Sequence, residues 1–360
     1  MSKTNLLLGT RKGLIIYQQS GADWTHQSTH FLGIPVSLTL VDERTDTWWA
    51  CLDHGHWGCK LHRSTNQGKN WEEIEAPKFA EGMEVKEGVP AAVKYLWAMS
   101  HGGKDKSEVL YIGTDPGALF KSTDNGDTWQ LVESLWNHPS REKWFGGGRD
   151  NPGIHSIVVD PRDSNHIYVA VSCAGVFETF DAGETWQSAN KGLKADFLPD
   201  PNSEIGQDPH ILKACPTNPD VLWQQNHCGI FVTIDGAKNW KEVSEKEGPA
   251  NFGFAVAIKH DNSNQAWVVP GISDEIRVAV DQALVVCRTD DGGQTWKEQR
   301  TGLPQENCFD IVYRHCLDIS GDSLVFGTTT GNVYYSNDLG ENWKQLSSDL
   351  PMVYSVEIAE

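Results

Sequence analysis

Ser122-Thr-Asp-Asn-Gly-Asp-Thr-Trp129 has the make-up of a tight hairpin turn closed by an aromatic anchor, and the chain repeats it. In such a turn the Asp accepts backbone N–H groups of its own loop, the Gly supplies a residue at positive φ, and the Trp offers a large apolar surface. The same eight-residue box stands at Ser64-Thr-Asn-Gln-Gly-Lys-Asn-Trp71, Thr179-Phe-Asp-Ala-Gly-Glu-Thr-Trp186 and Thr233-Ile-Asp-Gly-Ala-Lys-Asn-Trp240. Two more are Thr289-Asp-Asp-Gly-Gly-Gln-Thr-Trp296 and Ser336-Asn-Asp-Leu-Gly-Glu-Asn-Trp343, and a worn copy, Ser20-Gly-Ala-Asp-Trp24, opens the series. The seven tryptophans are 47 to 58 residues apart. Repeats of that length belong to propellers or solenoids.

The surroundings of the box decide between the two. Two short β-rich runs precede it, as in Ile167-Tyr-Val-Ala-Val-Ser172 and Gly175-Val-Phe-Glu-Thr179, and a shorter one follows it, as in Trp240-Lys-Glu-Val243. Ahead of each unit stands one further run, such as Ile154-His-Ser-Ile-Val-Val159. Four short strands joined by Gly/Asp turns make one propeller blade. The first unit lacks its innermost strand, while Val353-Tyr-Ser-Val-Glu-Ile358 is left over after the last box. The expected fold is therefore an all-β, seven-bladed β-propeller, residues 1–360 as one domain, with the C-terminal strand completing the first blade and closing the ring.

Composition narrows the partners. The formal net charge is −19, from 49 acidic and 30 basic residues, and no Lys/Arg run breaks it. Nucleic acid and anionic membranes are thereby disfavoured. The three leucines at 6–8 are too few for a signal-peptide core. The eight cysteines form no C-x-x-C pair and lie mostly in apolar runs, so free thiols in a reducing cytoplasm are expected.

With the boxes on one face, the long connections 76–92, 133–153, 189–209 and 270–283 fall on the other. Long loops on a rigid scaffold are where function is usually found. Asp150, Asp208 and Glu275 are the candidate catalytic carboxylates, because glycoside hydrolysis needs an acid and a base or nucleophile flanking one bond. Arg149, His54, His56, Trp57, Trp144, Asp274 and Arg277 are candidate substrate contacts, the tryptophans as stacking platforms for sugar rings. His155 and His210 begin inner strands, and His227 ends a second strand beside His210, since antiparallel pairing brings those ends together. These three histidines are the candidate ligands of a divalent metal such as Zn²⁺ or Mn²⁺; no other cofactor is expected. Gly146-Gly-Gly-Arg149 lacks the following helix and Lys-Ser/Thr of a nucleotide site, so it is read as a place of close backbone packing.

The box resembles the Asp-box (BNR) repeat of sialidases, sortilin-type receptors and xyloglucanase-type glycoside hydrolases, over nearly the whole chain. The runs Leu8-Gly-Thr-Arg-Lys-Gly13, Gly146-Gly-Gly-Arg-Asp-Asn-Pro-Gly-Ile-His155 and Gln225-Asn-His-Cys-Gly229 are similar to a bacterial group of glycosyl-hydrolase-like single propellers. These resemblances imply a carbohydrate-active hydrolase, or a metal-assisted polysaccharide lyase, acting on a carbohydrate or other small molecule. A classical sialidase is disfavoured, because Gly33-Ile34-Pro35 lacks the arginine of the Arg-Ile-Pro motif. Photosystem assembly factors with similar repeats imply the alternative, a non-catalytic binding or assembly scaffold.

Overall fold

In the computed structural model, which describes residues 4–359, the box is a clasp that holds two consecutive residues at positive φ. Asn125 and Gly126 lie at φ 56° and 82°. The Ser122 hydroxyl donates to Asp124 Oδ1 (2.7 Å) and accepts the Gly126 N–H (2.8 Å). Asp124 in turn accepts the Thr128 N–H (2.9 Å) and hydroxyl (2.6 Å). The sequence pattern points to glycine for one such residue, yet the residue before it is also left-handed in Gln67, Ala182 and Leu339. The hydrogen bonds to the third-position side-chain oxygen, a carboxylate or the Asn66 amide, offset that backbone cost. In the 233–240 box the glycine comes one place early, and Ala237 takes φ 60°.

Each clasp joins the third and fourth strands of a four-stranded antiparallel sheet, and there are seven such sheets: the blades of a seven-bladed β-propeller. The described chain divides into two compact units. One unit takes in the chain up to Val36, Lys191–Asp196 and the chain from His210 onward. It holds the first sheet (Asn5–Thr10, Gly13–Ser20, Asp23–His30) and the fifth to seventh, whose first strands are Pro209–Cys215, Gly253–Ile258 and Leu317–Ser320. As the sequence suggests, the strand Val353–Ala359 pairs antiparallel with Asn5–Thr10 and completes the first sheet. The core of this unit runs through Leu6, Trp267, Phe326 and Val353. Box tryptophans reach the preceding sheet: Trp296 Nε1 donates to Val243 O (2.8 Å), and the ring meets Trp223 edge-on.

The other unit, Ser37–Asn190 with Phe197–Pro209, holds the second to fourth sheets. A Cβ on Gly126 would come within 2.5 Å of the Trp49 ring, so that glycine serves close packing as well as the turn. All eight cysteines are free. In the fourth sheet His166 lies between two buried carboxylates, Asp160 (Nδ1 to Oδ2, 3.0 Å) and Glu178 (Nε2 to Oε1, 2.8 Å). A carboxylate oxygen only accepts, so both ring nitrogens carry protons. Burial alone would depress the imidazole pKa, but the bonds to Glu178 and Asp160 outweigh it and raise the value above 6.5.

Two expectations follow from this architecture. Removing residues 353–360 exposes the Asn5–Thr10 edge and should leave an aggregating chain without a cooperative thermal transition, checked by gel filtration and calorimetry. A raised histidine stabilises the fold fully below its unfolded pKa and loses that effect as pH climbs through the folded value. The stability advantage of wild type over His166→Gln should accordingly be largest below about pH 6.5 and shrink in alkali. Urea midpoints of both proteins across that range measure it, and an advantage that grows with pH contradicts the assignment.

Candidate functional site

The edge of each sheet away from its clasp gathers the start of the first strand and the end of the second, and the candidate residues collect there. In the unit from His210 onward, His210 stands near the start of Pro209–Cys215 and His227 just past the end of Asn218–Asn226. Their rings meet edge-on with centroids 5.7 Å apart, and a ring nitrogen of each lies within 4.8 Å of the other's. His210 Nδ1 donates to Gly253 O (2.6 Å). One residue on, Phe254 stacks against the His210 ring at 4.5 Å, and Phe252 stands edge-on to both histidines.

Phe254 is also the meeting point of two cations. The guanidinium carbons of Arg277 and Arg314 each lie 5.4 Å from its ring centroid, and Tyr313 meets it edge-on. Cations at that range are attracted to the negative face of the ring. Asp274 Oδ2 is 3.4 Å from His227 Nε2, and its backbone oxygen accepts the Arg277 Nε–H (2.9 Å). Glu275 is exposed on the same loop. A cleft of about 560 Å³ opens beside this cluster, walled by Pro249, Asn251, Phe252, Gly271, Ile272 and Gln282.

The unit of the second to fourth sheets holds the remaining candidates. Arg149 pairs with Asp115 (3.0 Å) and covers the rings of Trp97 (4.3 Å) and Tyr95 (5.0 Å). His155 is fully buried, with Nδ1 3.0 Å from Ser156 Oγ and its ring edge-on to Trp97. Asp150 sits at the surface, its side chain 88% exposed, 3.3 Å from Lys94. Asp208, two residues before His210 in the chain, is buried and accepts the Cys173 N–H (3.0 Å). Gly147 packs so closely that a Cβ would lie 2.4 Å from Cys173 Sγ, which agrees with the packing role read from the glycine run.

The aromatic candidates part company. Trp144 is 7% exposed: it packs on Phe177 and donates Nε1–H to Ser140 Oγ, so it belongs to a local core and offers no stacking face. Trp57 is 67% exposed on the turn Gly55–Trp57, with His56 edge-on to it; His54 precedes the turn and its side chain makes no cap hydrogen bond. Phe254, Arg314 and Phe252 were not picked out from the sequence. Their available signal was Phe252-Gly-Phe254, an aromatic pair on one face at the position where the other sheets carry His155 and His210.

The fold is that of a propeller, and the cation–aromatic cluster borders a small, partly apolar cleft. The chain belongs to the family described as photosynthesis system II assembly factor YCF48, whose model matches residues 2–302. It is 24% identical over 309 residues to the photosystem II assembly lipoprotein Ycf48 of Synechococcus sp. (strain CC9902), covering 84% of this chain and 74% of that one. It is also 23% identical to a xyloglucanase of Paenibacillus sp., covering 75% of this chain, and 27% identical to an oligoxyloglucan-reducing end-specific xyloglucanase of Emericella nidulans, covering 68%. The chain spans only 28% and 33% of the length of those two relatives. Among solved structures, the GH74 enzyme of Niastella koreensis superposes with TM-score 0.63 at 15% identity, over 98% of this chain and 56% of that one. YCF48 from Cyanidioschyzon merolae gives 0.55 at 15% identity, over 89% and 87%. A YCF48 bound to D1 peptide gives 0.50 at 16% identity, over 90% and 85%.

Of the three histidines, His210 and His227 are the two brought together, and they could hold a divalent metal; His155 lies in the other unit. A backbone carbonyl behind Nδ1, as Gly253 O stands behind His210, is the usual support of a metal-binding imidazole. Any divalent-metal binding that depends on this pair should be lost in His210→Ala and kept in His155→Ala. Calorimetric titration of metal-free protein measures it, and binding that survives His210→Ala would place the ligands elsewhere.

Proposed function

We propose that this chain is a non-catalytic binding protein that holds a segment of a partner polypeptide against the His210–Phe254–Arg277 face. The observation that carries this reading is the partnering of the carboxylates. Hydrolysis of a glycosidic bond needs two carboxyl groups set across it, one to protonate and one to attack or activate water. Here Asp150 faces Lys94, Asp115 faces Arg149, Asp274 faces His227, and Asp208 accepts a backbone N–H. Each is engaged by a cation or a donor instead of by a second carboxylate. Family membership supports the same reading, as does a match that spans most of the Synechococcus assembly lipoprotein but about a third of the xyloglucanases.

Carbohydrate binding is the second reading, and Trp57 favours it: an exposed indole on a short rigid turn is a ready platform for a sugar ring. The two readings separate in one experiment. Purified protein is incubated with xyloglucan oligosaccharides, and products are followed by mass spectrometry, while binding of the oligosaccharides and of short capped peptides is measured by fluorescence anisotropy. The oligosaccharides should remain intact and the peptides should bind saturably. Cleavage that disappears in Asp150→Asn or Asp208→Asn would overturn the proposal in favour of a glycoside hydrolase.

A further inference from the structure

Large apolar side chains rarely stand exposed together, and when they do they mark interaction sites. Two adjoining loops of the unit from His210 onward carry three of them: Ile272 and Ile276 between the second and third strands of the sixth sheet, and Phe309 on the crossover into the seventh. The loops are tied together, since the Cys308 N–H donates to Gln282 O (2.9 Å). The first of these loops borders the cleft walled by Phe252, Gly271 and Ile272. The loop 271–283 also carries Arg277, exposed beside Ile276.

Arg277 differs from the other arginines set over aromatic rings in being exposed without an acid. Arg149 is closed by Asp115, and Arg288 by Asp290 (2.7 Å) and Glu341 (3.4 Å), while Arg141, over Trp136 and Trp144, gives its Nη1–H to Gly117 O (2.7 Å) inside a packed loop. Arg277 uses Nε for a backbone oxygen and its guanidinium face for Phe254, and among the described residues it makes no ion pair. The fork formed by its two Nη groups is the geometry that matches a carboxylate. Arg314, over the same ring, adds positive potential at the same spot. The stack His210–Phe254 fixes the ring against which both cations rest, so the site is preorganised.

We infer that the Arg277–Phe254 cluster, with Ile272, Ile276 and Phe309 around it, is the docking surface for an extended polypeptide segment that carries an Asp or Glu side chain between apolar residues. This rests on the polypeptide-binding reading above and names the chemistry it would recognise. An internal carboxylate is the matching form, because exposed apolar side chains stand both on the arginine's own loop and on the adjoining one. The apolar flanks exclude water from the ion pair, and in lower dielectric the arginine–carboxylate bond gains strength. The surrounding charge of −19 repels anions at long range, so the site selects a carboxylate delivered by apolar contacts over a free anion.

The test uses an array of short capped peptides in which a central Glu or Gln is flanked by apolar residues of varied identity, probed with full-length wild type, Arg277→Gln and Ile276→Ser. Glu peptides should bind at least about tenfold tighter than their Gln counterparts, the lower end of what a charged hydrogen bond contributes. Arg277→Gln should erase that difference, Ile276→Ser should weaken both sets, and 50 mM inorganic phosphate should compete poorly. Arg277 is exposed, so its variant should keep the wild-type melting temperature, and a shared melting curve serves as the folding control. Equal binding of Glu and Gln peptides, or a Glu preference that survives Arg277→Gln, overturns the inference while leaving polypeptide binding intact. Tighter binding of the same Gln peptides once their carboxyl ends are uncapped overturns the internal placement. No binding of any peptide overturns both readings.

Discussion

The hydrogen-bonded clasp of the eight-residue box is the constraint on which the described structure depends. A left-handed residue other than glycine costs roughly 1–2 kcal/mol, and the box puts Gln67, Asn125, Ala182 or Leu339 in that state next to a second positive-φ residue. The side-chain oxygens at the first and third positions take over the loop N–H groups that no strand can use. In the 179–186 box this holds the Asp181 carboxyl down at about 2, through its bonds to Thr179 and Thr185. The turn so fixed aims the closing tryptophan at the preceding sheet, as Trp296 reaches Val243. It also lets backbone slide beneath large rings, as Gly126 does under Trp49. Sheet spacing within each unit is therefore set by a polar turn at the rim as much as by the apolar core.

Uniform turns on one edge leave the other edge to vary. Antiparallel pairing forces the start of each first strand to lie beside the end of each second strand, whatever the loops contain. His210 and His227 meet for that reason alone, although seventeen positions separate them. The first strand of the next sheet starts at the same edge, so Gly253 O and the Phe254 ring are within reach of His210. The loop 271–283 then needs only to fold over to deliver Asp274 and Arg277. The cluster is a product of strand ends, with one loop added.

What could be read from residues and what could not divides along the same line. The clasps, the strand order and the pairing of Val353–Ala359 with Asn5–Thr10 were legible, because turn chemistry and a left-over strand are local signals. The meeting of His210 and His227 was legible because pairing geometry does not depend on side chains. The partners of the carboxylates were not: Asp208 Oδ1 accepts the Cys173 N–H, and Asp150 turns to Lys94, contacts set by how loops pack. Trp144 reads as a loop tryptophan but is drawn into the apolar contact with Phe177 and His138. Arg314 lies over Phe254 yet looks like an ordinary residue ahead of a strand, and the Phe252-Gly-Phe254 pair is the one local trace of that contact in the sequence.

A chain this acidic gains little from scattered cations, which its own carboxylates would neutralise within a Debye length of about 8 Å. Arginine on an aromatic ring escapes that fate in part, because the ring occupies one face of the guanidinium and holds it at a fixed place. Arg149 shows the closed form of the arrangement, with Asp115 supplied by the chain itself and Trp97 beneath. Arg277 has the same ring support but no acid of its own among the described residues. In the first case the fold completes the ion pair and the site is structural. In the second the Nη fork stays open toward solvent beside the exposed Ile272, Ile276 and Phe309, the setting on which the proposed peptide contact rests. The two arginines, alike in ring support and unlike in closure, are the structural difference on which the proposed docking role of Arg277 rests.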